Sequence, residues 1–150
     1  MPQEIVIHDE EAQRFLTKAM AKVKEVGDGG RAFGMALSAV VFQDVDDHFQ
    51  KEEGPDGRWA PWSKIYREHM ERIGKGGNKI LQDEGKLRGG FMPTNYRKVG
   101  EGILWFNPIS YAHRHNEGTH GTPARTFMWL SDPASERIAD VTLNFVLGRS

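Results

Sequence analysis

Residues Tyr111–Asp132, YAHRHNEGTHGTPARTFMWLSD, set a tight chain reversal directly ahead of an apolar run, and few folds accommodate both. Glu117 followed by Gly118 reads as a carboxylate at a sharp reversal, because glycine accepts positive φ without a Cβ penalty. Pro123 then fixes φ and removes an N–H where the chain turns into the run. Arg125 supplies a planar five-donor fork just before Phe127, Trp129 and Leu130. The order describes an anchored loop leading into a buried strand over residues 125–130. Tyr111, Glu117, Gly118, Pro123, Arg125 and Phe127 are the residues expected to hold the loop's shape. Glu117 and Arg125 are the natural pair for a two-pronged bond that braces the loop within the chain, with a contact between subunits as the alternative.

Periodicity divides the rest of the chain in two. Glu4–His8 alternates weakly, as a short strand would. Asp9 is a good N-cap, and Glu10 and Glu11 suit the positive end of the helix that follows. Ala12, Phe15, Leu16, Ala19, Met20 and Val23 keep amphipathic helical spacing up to the glycines at 27–30. A second helix is expected over residues 31–50, with Phe33, Leu37, Val40, Val41, Asp44, Val45 and His48 near one side, completing a helical hairpin. Turn signals cluster from 52 to 63, and Ser63 caps a third helical piece holding Ile65, Tyr66, His69, Met70 and Ile73. Ile80-Leu81 opens a short turn that stops at Gly85.

Beyond that point the period shortens. Residues 87–92, 96–99 and 103–106 are short, β-prone and separated by turn residues, with Gly100-Glu101-Gly102 a hairpin turn. Residues 109–116 suit a short helix. Asp132 and Pro133 read as N-cap and first helical residue of a closing helix with Ile138, Val141, Leu143, Phe145 and Val146. The expected fold class is α+β: an N-terminal helical hairpin, a small antiparallel sheet, and a C-terminal helix packed on the sheet. At 150 residues the chain is expected to form one domain, 1–150, burying about two thirds of its unfolded surface.

Composition narrows the function. Twenty basic residues against 21 acidic argue against a domain whose affinity rests on phosphate contacts. The absence of cysteine removes disulfides and thiolate metal sites. No apolar run approaches the ~20 residues that cross a bilayer, and the acidic N-terminus has no secretory signal. The protein is expected to remain soluble where it is made, without a membrane partner.

Four groups of residues have the chemistry of a site. His113, His115 and His120 lie with Glu117 in eight residues, and imidazole with carboxylate binds zinc. On a helix, however, His113 and His115 point about 200° apart, and no second cluster supplies further ligands, so hydrogen-bonding loop histidines are the favoured reading and no cofactor is expected. Trp59 and Trp62, beside Arg58 in a Pro-rich loop, suit either an interface or a fold-back onto the hairpin. Lys75-Gly-Gly-Asn-Lys79 lacks the Lys-Ser/Thr ending of a phosphate-binding loop, and reads as a flexible basic loop that assembly orders or that faces DNA in a channel, or else as plain solvated chain. Asp44, Asp46 and Asp47 read as a solvated helix face. No cysteine, Gly-x-Ser-x-Gly elbow or Ser with a base supports hydrolysis.

Three stretches carry a resemblance: HFQKEEGPDGRWAPWS at 48–63, ILQDEGKLRGGF at 80–91, and the Tyr-Ala…Glu-Gly-Thr…Pro-Ala-Arg-x-Phe order starting at Tyr111. In this order and spacing the chain resembles the phage virion morphogenesis (tail completion) family of Mu-like phages and prophages, from about His48 onward and more loosely through the N-terminal helices. The resemblance implies a structural protein without catalysis, acting at the tail end or the head–tail junction. It implies a cyclic homo-oligomer, with a hexamer as the leading expectation, closed by a heterologous interface. Other tail or neck proteins would be partners, and DNA would be touched only inside the assembled channel. The expected locations are the bacterial host's cytoplasm during assembly and then the virion. Contacts are expected from Arg58, Trp59, Trp62, Lys75 and Lys79. The competing class is a small metal-dependent hydrolase or nuclease built on His113, His115, Glu117 and His120.

Overall fold

The computed structural model describes residues 10–26, 30–99 and 102–149. The strand expected over 4–8, the glycines at 27–29 and the turn residues 100–101 lie outside them. Six helices and two small antiparallel sheets are described: α1 (Glu10–Val26), α2 (Arg31–Lys51), β1 (Glu53–Gly54), β2 (Gly57–Arg58), α3 (Lys64–Arg72), α4 (Lys86–Gly89), β3 (Tyr96–Val99), β4 (Gly102–Trp105), α5 (Ala112–Glu117) and α6 (Asp132–Val146). The fold is α+β.

Helix α2 is the axis of the core. It buries Phe33, Leu37, Val41, Val45 and Phe49 along one stripe, and also Ser38, Phe42, Asp44 and His48, so apolar packing surrounds much of its circumference. Such a helix is covered by other elements on several sides. Helix α6 packs against both α1 and α2. Its Ile138 joins the same buried cluster as Phe33, Leu37 and Trp105 of β4, and Phe33 stacks on Phe145 with ring centroids 4.5 Å apart. The β3–β4 hairpin runs in register from Tyr96 opposite Trp105 to Val99 opposite Gly102. Trp105 is fully buried, and its indole N–H donates to the Ser38 hydroxyl at 2.8 Å. Buried Trp needs such a partner for its one polar atom.

Two expected strands are not strands. Residues 87–92 contain the single turn of α4 and then irregular chain, because Leu87 points into the core from a turn that opens at Gly85. Residues 125–130 are extended but pair with no neighbouring strand. Their backbone is satisfied by a side chain instead: the Asn116 amide oxygen accepts from the N–H groups of Phe127 and Met128 at 3.0 and 2.9 Å. Buried backbone N–H groups must find some acceptor, and here one amide oxygen does the work of a ladder.

Helix boundaries follow local chemistry. Ser63 caps α3 as expected, accepting from the Tyr66 N–H. The cap of α6 is Ser131 rather than Asp132, since the Ser131 hydroxyl reaches the Ala134 N–H and shifts Asp132 and Pro133 into the first turn. At the other end of the core, Gln82 and Lys79 donate to the Phe49 and Gln50 carbonyls at 2.8 and 2.7 Å. Those carbonyls belong to the last turn of α2, where intrahelical donors run out. Arg88 adds a two-pronged bond to Asp46, with Nη2 to Oδ2 at 2.8 Å, that ties the 82–88 segment to α2. Asp46 is therefore half-buried and paired; the bonds from Arg88, against a smaller opposing effect of burial, hold its pKa below the ordinary value.

Asp44 corrects the solvated-face expectation more sharply. It is buried, accepts both the N–H and the hydroxyl of Ser131, and lies 3.4 Å from His48 Nε2. That last separation brings the groups to ion-pair range without a formed hydrogen bond, and Nε2 has no other partner. Nδ1 of His48 faces the Phe127 carbonyl at 2.9 Å, and the ring stacks on Trp129 at 4.0 Å. Burial pushes the Asp44 carboxyl up, but His48 and Ser131 together outweigh it and leave its pKa lowered.

Candidate interaction surface

The Tyr111–Asp132 segment is a closed loop on the helix α5. Thr119 and Thr122 exchange N–H···O=C bonds at 3.0 and 2.9 Å, and the Arg125 N–H returns to the His115 carbonyl at 2.7 Å. Gly118 sits at φ 77°, and a Cβ there would lie 2.7 Å from the Ala124 nitrogen, so both conformation and space demand glycine. Phe127 is fully buried and Tyr111 partly exposed, its ring edge-on to His115.

Arg125 braces the loop through backbone carbonyls. Its Nε and Nη2 donate to the Ala60 and Pro61 carbonyls at 2.8 and 3.0 Å, so the fork clamps the Trp59–Trp62 stretch to the loop. Arg125 is 8% exposed, and desolvation lowers its pKa.

The two loop tryptophans part company. Trp59 is 6% exposed, packs edge-on against Phe49 at 5.4 Å, and donates its indole N–H to the Thr126 carbonyl at 2.9 Å. It is a core residue, which removes it from the surface a neighbour would meet. Trp62 is half-buried and stands edge-on to Tyr66 at 5.5 Å. Arg58 is exposed on the β1–β2 hairpin. The basic loop is less free than its sequence suggests: Lys75 pairs with Asp83 at 2.8 Å, and Lys79 holds the α2 end as described.

Trp62, Tyr66 and Met70 form one wall of a groove of about 640 Å³. Lys79 to Leu87 form another, and Tyr111, His115 and residues 121–125 close it, with Arg125 in the lining. His115 is the one loop histidine that contributes. Desolvation, then the charges of Arg125 and Arg114, hold its pKa down, so its ring is neutral at pH 7. His113 Nδ1 instead meets the Ser110 carbonyl, and His120 lies exposed at the turn. No group of three or more metal-ligating side chains comes together among the described residues, so His113, His115, Glu117 and His120 do not form the ligand set that the metal-dependent reading requires. No described helix is long and apolar enough to cross a membrane.

The phage virion morphogenesis family matches residues 7–146, which take in the groove, the clamp and the core. This chain belongs to the phage virion morphogenesis family. No curated protein and no solved structure matches it. Family membership places the chain in phage virion morphogenesis. The sequence signalled the groove only in pieces. Trp62, Arg125 and Tyr111 stood out singly, whereas Gln82, Asp83 and Lys86 were signalled only as part of the 80–91 stretch and not as lining residues.

Proposed function

We propose that the protein is a non-catalytic component of virion morphogenesis that acts at the tail end or head–tail junction, as a tail completion protein of Mu-like phages or prophages. Copies join in a cyclic homo-oligomer, a hexamer being the expected closure, and the ring meets other tail or neck proteins. DNA is touched only if the ring encloses a channel. Arg58, Trp62, Lys75 and Lys79 face the neighbours, and the Tyr111–Phe127 loop holds that face in shape.

The observation that carries this reading, beside the family itself, is the outer side of α3. Helix α3 buries only Met70 and leaves Ile65 81% exposed, with Tyr66, Ile73 and Trp62 beside it. Clustered exposed apolar side chains mark sites of protein association. Light scattering across a range of concentrations tests it: the native chain should associate, and Trp62→Ala should shift the midpoint to higher concentration. An unchanged association curve for Trp62→Ala removes this face from the interface. Metal analysis addresses the competing class, because stoichiometric zinc in the purified protein would favour the hydrolase.

A further inference from the structure

Both ring nitrogens of His48 face an oxygen that can only accept. Nδ1 lies 2.9 Å from the Phe127 carbonyl, and Nε2 lies 3.4 Å from the Asp44 carboxylate. Neutral imidazole carries one N–H. In either neutral tautomer a nitrogen lone pair would point at an oxygen lone pair, whereas the imidazolium has a proton for each. Turning the ring over brings carbon to both positions and loses both contacts. Asp44 demands the same answer from its side. It is buried and accepts the N–H and the hydroxyl of Ser131. Burial raises its pKa, and His48 with Ser131 more than offsets that rise, so the carboxyl is ionised. A buried anion is costly unless a cation accompanies it. The groups that face the His48 ring are Asp44 from its own helix and, from the 125–131 segment, the Phe127 carbonyl and the Trp129 ring. Of these only Asp44 is ionisable. The Trp129 and His48 ring centroids are 4.0 Å apart with 6° between their planes, and the Trp129 indole N–H is sealed without a protein acceptor. Stacking therefore sets the place of Trp129, and an indole face favours a cation over it.

We propose that His48 is an imidazolium inside the folded protein, donating to the Phe127 carbonyl and paired with Asp44, and that the join between α2 and the chain entering α6 is thereby a proton-operated latch. Linkage gives the sign. A ring that keeps its second proton when folded, and gives it up when unfolded, stabilises the fold in full below the unfolded imidazole value of ~6.5. That contribution is lost progressively as pH rises from there, until the folded ring also gives up its proton. Loss of the proton leaves a lone pair against an acceptor, so the hold of α2 on the 127–131 segment weakens. The inference concerns the protomer's own core and does not depend on the role in virion assembly.

The test is nitrogen NMR of the intact chain carrying isotope-labelled histidine, at pH 7.5, where a free imidazole is about nine-tenths neutral. Both His48 ring nitrogens should give protonated-type signals, and the Asp44 side-chain carbon a carboxylate signal. Urea unfolding supplies a second readout. Between pH ~6.5 and ~8.5 the folded-to-unfolded ratio should fall by up to about tenfold per pH unit, and His48→Gln should flatten that fall. Asp44→Asn should return the His48 ring to a single N–H at pH 7.5, and it serves if His48→Gln does not fold. The native spectra decide the matter even where neither variant folds. A neutral His48 ring in the native protein, a carboxylic-acid signal at Asp44, or an equally steep alkaline limb in His48→Gln would each overturn the proposal.

Discussion

At the scale of single residues, side-chain amides do what backbone pairing does elsewhere. Asn116 caps two N–H groups of the 125–130 segment. Asn107 is fully buried, donates to the Leu87 carbonyl and accepts from the Ile109 N–H, both at 2.9 Å. Asn95 reaches the Gly90 carbonyl at 2.7 Å. Asn116→Ala therefore strands two buried donors and should cost about 2–6 kcal/mol, at about 1–3 kcal/mol per unsatisfied group, read as a drop in the urea midpoint with an unchanged slope. Gly118→Ala combines left-handed strain with a Cβ driven at the Ala124 backbone, and should lose on the order of 2–4 kcal/mol in the same assay. Glycine at 118 was legible from Glu-Gly at a reversal. Asn116 was not, because an Asn at the end of a six-residue helix looks the same whether it faces solvent or holds the backbone of a later segment.

At the scale of elements, the join between α2 and α6 concentrates the chemistry. Ser131 caps α6 while its N–H and hydroxyl serve Asp44, so Ser131→Ala removes a cap and one of the donors of a buried carboxylate. About 1–3 kcal/mol should be lost, above the ~1 kcal/mol of an ordinary cap. The acid sensitivity of this join has a definite sign. Asp44 has a folded pKa below its unfolded one, so its stabilising contribution is complete above the unfolded value and disappears as pH falls through the folded value. Unfolding at a series of pH values should show the native protein losing more stability below pH ~4 than Asp44→Asn does. Equal acid sensitivity would show that Asp44 is not the group responsible. Helices were the legible elements, since Ser63 and the apolar spacing of 31–50 fall where the structure puts them. The i,i+4 pair Asp44 and His48 was read correctly as one side of a helix, yet its polarity hid that this side faces inward, where Ser131 and the Phe127 carbonyl compensate it. The 125–130 run shows why β-prone composition is insufficient: an extended chain becomes a strand only if a partner strand lies beside it.

At the scale of the whole molecule, the core gathers on one set of elements and α3 lies largely outside it. Helices α2 and α6 with the β3–β4 hairpin supply much of the core, although Val99 and Leu143 stay exposed, whereas α3 buries only Met70 and turns Ile65 and Tyr66 outward. Ile65→Lys, on a residue that is 81% exposed, should leave thermal stability within about 0.5 kcal/mol of native and raise the concentration needed for association. A large loss of stability would place Ile65 inside the protomer's own packing. The mixed α and β content was readable from the change of period. The groove was not, because it arises where the 61–70 stretch, the 79–87 segment and the 111–125 loop converge from three distant parts of the chain.

The Arg125 clamp also governs how load passes through the protein. The Trp59–Trp62 stretch is riveted to the 125–128 chain by the two guanidinium bonds and by the Trp59 indole, with Phe49 behind it. Force applied at Trp62 would thus pass through the bonded Trp59–Pro61 backbone to Phe49 of α2 rather than be absorbed by a slack tether.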